Sequence, residues 1–182
     1  MTRILGISGS LRKGSYNTAL LRAACERFPG LIEVASIRDI PLYDGDLEQV
    51  GFPDSVQQLK DRLLQANGLL IASPEYNNSV PGVLKNAIDW LSRPSQGVDN
   101  AFRGKPVAVL GASPGHFGTI LSQDAWLSVF RGLSAQHWMG RRLLVAAAAE
   151  RFDEHGGLSD ENLAGQLETF VSGFVDFIDR CS

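Results

Sequence analysis

The sequence predicts a doubly wound α/β sandwich, a five-stranded parallel sheet in the order 2-1-3-4-5 with helices on both faces. Three observations predict it. Short, continuous apolar runs recur at residues 4–8, 33–37, 68–73, 107–112 and 142–146, as strands do when both sheet faces are covered. Helix-spaced apolar patterns alternate with those runs, as parallel strands joined by crossover helices require. The connections after the first, third and fourth runs are richest in Gly, Pro, Ser and Asn. They lie at the carboxyl ends of those strands, where a sheet of this order has its ligand crevice, because the winding reverses between strands one and three.

Taken in order, residues 4–8 lead into a helix that starts near Asn17 and carries Cys25, between Ala24 and Phe28, as a small buried hydrophobe. Residues 38–51 are polar and contain Gly and Pro, which predicts a surface loop. Pro53-Asp54 opens the next helix, with Val56, Leu59, Leu63 and Leu64 on one face. Val80, Val83, Leu84, Ala87, Ile88 and Leu91 mark another, with Pro81 in its first turn. A second surface connection is expected over 94–105. The helix over 120–133 is less tidy, since Leu121, Ala125, Trp126, Leu127, Val129, Phe130 and Leu133 spread apolar area beyond one face; that predicts a subunit interface. The last helix is clearest, with Ser159 as cap, Asp160 and Glu161 in the first turn, and Leu163, Leu167, Phe170, Val171, Phe174, Phe177 and Ile178 at helical spacing.

At 182 residues and 44% hydrophobic, the chain is long enough for one substantial core, and a single domain over 1–182 is expected. The net charge of −3, with scattered Lys and Arg, gives no footprint for nucleic acid or an anionic membrane. The late apolar run 143–149 falls far below the roughly 20 residues of a spanning helix, and the first strand follows Met1-Thr2-Arg3 directly. A cytoplasmic protein is expected. Cys25 and Cys181 lack any partner motif, so neither a metal site nor a redox disulfide is indicated.

The most informative stretch is Gly9-Ser10-Leu11-Arg12-Lys13-Gly14-Ser15-Tyr16-Asn17, lying between a strand and a helix start. Its glycines admit a ligand to the backbone, Ser10, Ser15 and Asn17 offer side-chain donors, and Arg12 offers charge. The helix N-terminus adds unpaired N–H groups and its dipole. Gly9 and Gly14 bracket four residues as in a nucleotide P-loop, but Ser15 replaces its Lys and Tyr16 its Mg-binding hydroxyl. A G-x-G-x-x-G fingerprint is also absent. A single terminal phosphate fits best.

Together with this loop, Ser73-Pro74-Glu75-Tyr76-Asn77, Val80-Pro81-Gly82-x-Leu84-Lys85-Asn86-Ala87-x-Asp89-Trp90 and Gly104-Lys105-Pro106-Val107 resemble the NADPH-dependent FMN reductase family, including its quinone, chromate and azo-dye reductases. The resemblance spans nearly the whole chain and implies a flavodoxin-like fold with tightly bound FMN. It implies that Ser10, Leu11, Arg12, Ser15, Tyr16 and Asn17 hold the 5'-phosphate, and that Pro74, Glu75, Tyr76, Asn77, Asn78, Ser113 and Gly115 line the isoalloxazine ring. A flat, polar-edged ring needs an aromatic wall and exposed peptide groups, and the Tyr76 segment supplies both. Glu75 would touch the ribityl chain or ring edge, or else be solvated. Asn86 and Asp89 would support the loop, and Trp90 would be core. The resemblance further implies two-step transfer: hydride from a transient NADPH or NADH to the flavin, then two electrons to a quinone, flavin, chromate or azo acceptor at the same place. The cofactor carries the chemistry, so no catalytic side chain and no metal are assigned. A homodimer or homotetramer is expected.

Two other readings compete. Gly111-Ala112-Ser113-Pro114-Gly115 matches the G-x-S-x-G elbow of serine hydrolases, with His116, His137 and His155 downstream. Pro114 argues against it, because the oxyanion hole needs an N–H at that position and proline has none. A flavodoxin-like electron carrier would bind FMN without turning over nicotinamide, and the mixed-sign charge gives it little support. His116 beside the ring would steer an anion or donate a proton, or be merely solvated; His137 reads as structural. The choice between NADPH and NADH rests with Arg12, Lys13, Arg93 or Arg103.

Overall fold

The computed structural model describes residues 2–93 and 100–181. The strands are β1 (Ile4–Ser8), β2 (Ile32–Ala35), β3 (Gly68–Ala72), β4 (Pro106–Ala112), β5 (Gln136–His137) and β6 (Leu143–Val145). The helices are α1 (Tyr16–Arg27), α2 (Gly45–Val50), α3 (Asp54–Gln65), α4 (Gly82–Leu91), α5 (Ile120–Gly132) and α6 (Glu161–Cys181), with a 3-10 turn at Ala148–Glu150. Every strand pairing is parallel, in the order β2-β1-β3-β4-β5, and β6 also pairs with β4.

Side-chain alternation along the strands builds two cores. Leu5 and Ile7, Leu69 and Ile71, and Val107 and Val109 pack with Leu59 and Leu63 of α3, Ile88 of α4 and Trp126 of α5. Ile4, Leu70, Ala72, Ala108, Leu110 and Ala112 pack with Leu20 and Ala24 of α1 and Leu167, Phe170 and Phe174 of α6. A period of two thus covers both faces, as the uninterrupted apolar runs require.

The fifth expected run, 142–146, forms β6, and a two-residue β5 that was not expected precedes it on the same edge of the sheet. β5 pairs with Pro106 and Val107 at the start of β4, whereas β6 pairs with Leu110 to Ala112 at its end. Between them Trp138 keeps one ladder bond, its N–H donating to the Val107 carbonyl at 2.8 Å, while its indole packs edge-on to Phe170 with centroids 4.9 Å apart. Gly173 of α6 makes room, since a Cβ there would lie 2.8 Å from the indole.

Other boundaries moved for local reasons. β2 starts at Ile32 and ends at Ala35, earlier at both ends than 33–37. The 38–51 connection contains α2, capped by Asp44 through the Asp46 N–H at 2.9 Å. Leu64 (43% exposed) and Val83 (39%) lie on the outer sides of their helices rather than on core faces. Of the connection expected over 94–105, residues 94–99 lie outside the described residues, and Ala101 and Phe102 are core. The cap of α6 is Asp160, which accepts the Leu163 N–H at 2.9 Å; that bond, with Arg151 beside it, holds the carboxyl below its usual range. Ser159 instead donates its hydroxyl to the Arg151 carbonyl. Cys25 is half-buried, its thiol donating to the Ile32 carbonyl at 3.6 Å.

Candidate functional site

The carboxyl ends of β1, β3 and β4 bring the three expected loops together. The Gly9 N–H donates to the Ala72 carbonyl at 2.8 Å. A Cβ on Gly9 would sit 2.9 Å from Leu84, 2.9 Å from Pro74 and 3.0 Å from Pro81, so only glycine lets the first loop press against the third. Beyond it, Ser8 Oγ accepts the Ser10 N–H at 3.3 Å and the Thr18 hydroxyl at 2.9 Å, and Ser10 Oγ accepts the Arg12 N–H at 3.3 Å. Arg38 donates to the Leu11 carbonyl from the other side. Sequence reading missed Thr18 and Arg38: a hydroxyl one turn into a helix and a cation 27 residues away carry no spacing signal.

Ser15 caps α1, its Oγ accepting the Thr18 N–H at 3.3 Å, and its own proton remains to donate. The first-turn N–H groups of α1 lie beside it and have no intrahelical acceptor. Arg12 lies over the Tyr16 ring at 5.4 Å, and Tyr16 stacks on Phe152 with centroids 5.6 Å apart. Asn17 does not offer the side-chain donor expected of it. It is buried, its amide donating to the Ala112 carbonyl at 2.8 Å and its oxygen accepting the Ala112 N–H at 2.9 Å. Its side chain ties the start of α1 to the end of β4, leaving its backbone N–H as its contribution to the turn.

In the third loop, Tyr76 and Ser79 exchange backbone bonds at 3.2 and 3.0 Å, with Asn77 and Asn78 between them at φ 51° and 60°. Asn is among the residues that tolerate this left-handed pair, which a two-residue type I' turn requires. The turn presents Tyr76, 47% exposed, with its hydroxyl 3.5 Å from Ser10 Oγ. Pro74 is buried beneath. Glu75 is not a merely solvated loop carboxylate: one of its oxygens accepts the Leu121 and Ser122 N–H groups at 2.8 and 3.1 Å, capping α5 where Thr119 makes no side-chain cap. Ser73 completes the tie. Its buried hydroxyl accepts the Trp126 indole N–H at 2.9 Å and lies 2.9 Å from Ser122 Oγ. Asn86 accepts the Tyr43 N–H and donates to the Pro41 carbonyl, each at 2.8 Å. Trp90, fully buried, donates to that same carbonyl at 2.9 Å. Asp89 pairs with Lys85 at 2.7 Å.

The fourth loop is anchored by backbone. The Ser113 N–H donates to Val145, and its carbonyl accepts from Ala148; Gly115 accepts from Ala147. Ser113 Oγ donates to the Gly118 carbonyl at 2.6 Å, and among the described residues no hydrogen bond joins it to a histidine. A nucleophile would need such a base. Gly115 and His116 are exposed. His137 is partly buried in β5 and stacks on Phe130 at 5.6 Å, with no hydrogen-bond partner for Nδ1. Its pKa is lowered, first by burial and then by Arg142. Among the described residues no group of His, Cys, Asp and Glu can hold a metal ion, and no helix is long and apolar enough to cross a membrane.

A phosphate needs convergent N–H and hydroxyl donors with charge nearby, and the turn after β1 supplies them. A flat ring needs an aromatic wall and open peptide groups, and the turn after β3 supplies those one hydroxyl contact away. With the 2-1-3-4-5 sheet, this is the architecture of a flavodoxin-like mononucleotide-binding protein. The chain belongs to the NADPH-dependent FMN reductase family, whose model matches residues 2–150. It is 45% identical over 161 residues, 87% of this chain and 85% of the relative, to an NAD(P)H-dependent FMN reductase of Pseudomonas aeruginosa. To a quinone reductase of Escherichia coli it is 37% identical over 183 residues, 98% of this chain and 96% of that one. Among solved structures, FerB, a flavoenzyme NAD(P)H:(acceptor) oxidoreductase from Paracoccus denitrificans, matches with a TM-score of 0.88 at 36% identity, covering 99% of this chain and 98% of that one. The protein is an FMN-dependent NAD(P)H oxidoreductase, and neither the carrier nor the hydrolase reading stands.

Proposed function

We propose that Ser10, Leu11, Arg12, Ser15, Tyr16 and the Asn17 N–H hold the phosphate of FMN, and that Pro74, Tyr76, Asn77, Asn78, Ser113 and Gly115 face its ring. The observation that carries this is the packing of the first loop on the third, closed by Gly9 and by the Tyr76–Ser10 contact. FMN held there would supply the redox chemistry, taking hydride from NAD(P)H and reducing by two electrons a small acceptor such as a quinone, a free flavin, chromate or an azo compound.

The protein's own residues bind and orient. Arg12 and the N-terminus of α1 neutralise and fix the phosphate end. Tyr76 would provide a flat wall, and the exposed, left-handed Asn77-Asn78 turn would offer its peptide groups to the ring edge. Glu75 acts one step back, holding the turn on α5 rather than touching the ring. No side chain is required as nucleophile or general base, so acceptor choice follows from fit against the exposed ring face. This favours a broad acceptor range. The outer side of α5 leaves Leu121 44% and Leu127 41% exposed, which supports self-association into a homodimer or homotetramer across that helix. The chemistry is soluble small-molecule chemistry, suited to the cytoplasm.

The visible spectrum of purified protein, taken before and after anaerobic addition of NADPH, tests the reading. Flavin bands that bleach on reduction and return with added quinone are expected. Protein that remains colourless and takes up no FMN would overturn it.

A further inference from the structure

The fold covers nearly every aromatic ring of the chain. Of nine Phe, three Trp and three Tyr, only Tyr76, at 47%, and Phe117, at 81%, are exposed among the described residues. One exposed apolar side chain by itself says nothing. These two, however, occupy the turns that follow neighbouring strands, β3 and β4, at the carboxyl end of the sheet. The turns are clasped together: Glu75 accepts the Leu121 and Ser122 N–H groups, and Ser73 Oγ lies 2.9 Å from Ser122 Oγ. Tyr76 directly follows Glu75, and Phe117 precedes Leu121 by four residues, so the two rings flank one crevice. The place of Phe117 is fixed. Ser113 Oγ donates to the Gly118 carbonyl at 2.6 Å, closing the base of the turn, and the Gly115 carbonyl accepts the Ala147 N–H at 2.9 Å. Just after Phe117, Gly118 holds φ 63° with the space of a Cβ taken by Leu144 at 3.0 Å, and Thr119 is wholly buried. Both ends of the turn are thus seated, and the Phe117 ring packs on no other aromatic among the described residues.

A flat conjugated molecule is held best when both of its faces are covered, and an aromatic neighbour adds to what the buried area alone supplies. The site proposed above covers one face of a small acceptor with the flavin ring. The other face stays in water unless a side chain reaches over it. We infer that Phe117 is that side chain, a specificity-determining residue that covers the outer face of planar aromatic acceptors and gives no help to compact oxyanions. The inference rests on the function proposed above and ranks the acceptors within it. Tyr76 and Phe117 divide the work. The Tyr76 hydroxyl reaches Ser10 Oγ at 3.5 Å, which ties that ring to the flavin side of the crevice, whereas Phe117 has no polar atom to tie and keeps both faces of its ring open. Chromate has no π face to stack, so a phenyl ring beside it adds nothing. Phe117 contributes to acceptor binding alone and takes no part in moving electrons or protons. Sequence carried no signal for it, because burial decides which of the chain's aromatic rings are left to meet a ligand.

The test compares FMN-loaded wild type with Phe117→Ala, Phe117→Leu and Phe117→Trp. Calorimetric titration of the oxidised proteins with 1,4-naphthoquinone, with no electron donor present, reads acceptor binding without turnover. The Kd is expected to rise about fivefold in Phe117→Ala, the worth of one aromatic stacking contact. Phe117→Trp should restore it, and Phe117→Leu, apolar but without a π face, should stay nearer the alanine variant. In steady state the KM for naphthoquinone should rise by the same factor with kcat kept, while kcat/KM for chromate changes by less than about twofold. An unchanged naphthoquinone Kd in Phe117→Ala overturns the inference, as does a leucine variant equal to wild type or an equal fall with chromate. Loss of FMN from the alanine variant overturns it too, since Phe117 would then be a flavin ligand. Wild type that takes up no FMN refutes the function proposed above and this inference with it; wild type that holds FMN, beside an alanine variant that binds naphthoquinone equally well, refutes this inference alone.

Discussion

Replacing Glu75 by alanine separates its capping role from flavin contact. Its carboxylate accepts two N–H groups of α5, from Leu121 at 2.8 Å and Ser122 at 3.1 Å, and the N-cap residue Thr119 makes no side-chain cap of its own. A lost cap costs about 1 kcal/mol. The negative charge at a helix N-terminus adds roughly 0.3–1 kcal/mol, discounted here because Glu75 is only half-buried. The sum is about 1.5 kcal/mol, and for a chain of this size each kcal/mol shifts the melting temperature by roughly 2–4 °C. Thermal melts of flavin-free protein should therefore show a drop of roughly 3–6 °C. Glu75→Gln, which keeps an acceptor and loses the charge, should recover more than half of it. FMN affinity, read by quenching of free-flavin fluorescence, should fall only modestly, since loop and helix loosen together. An unchanged melt with a large loss of FMN affinity would refute the capping argument and return Glu75 to the ring edge.

Four further outcomes are expected. Arg12→Ala should weaken FMN binding about tenfold by removing a charge-assisted phosphate partner; flavin retention on gel filtration reports it, and full retention would place the phosphate elsewhere. Gly111→Ala puts a Cβ 2.1 Å from Thr119 Oγ1 and 2.3 Å from the Ser73 carbonyl. It should destabilise by about 3 kcal/mol, whereas Gly82→Ala, which meets open space, should not; coincident urea midpoints would contradict this. Asn17→Asp loses the donor to Ala112 and sets a carboxylate against its carbonyl, a loss of about 2–3 kcal/mol visible in the same titration. His137 titrates below its ordinary 6.5 in the folded chain, through burial and then Arg142. The unfolded chain then binds more protons, so the contribution of neutral His137 is full above pH 6.5 and is lost as pH falls from there through the folded-state pKa. A melting profile from pH 7.5 to 5.5 should flatten in His137→Gln, and parallel profiles would argue that the imidazole is solvated.

The sheet order and the three site loops were legible because each rests on local signals that agree: apolar runs of strand length, Gly-rich turns and a capped helix start. Ser15, Tyr76 and Asn77-Asn78 fall where turn chemistry puts them. What local pattern did not reveal was tertiary. Asn17 looks like a ligand donor in sequence and becomes a clamp only because Ala112, 95 residues on, is brought beside it. Glu75 likewise finds α5 46 residues away. Residues 143–145 were legible within the run 142–146, but β5 was hidden because 136–137 are too few to read as a strand, and Trp138 packs against α6 just after them. Residues 38–51 hid α2 for a related reason: six residues with none buried give no apolar period to read.

The break between β5 and β6 has an evolutionary consequence. The Ser113 turn is fastened by β6 and the residues just after it, while β5 is fastened independently at the opposite end of β4. Arg142 is itself tied to Asp124 of α5 at 2.9 Å, so residues 139–141 are where the connection can gain or lose length without displacing the turn. Descendants of this scaffold have there a stretch in which length can drift while the ring-facing geometry stays constant.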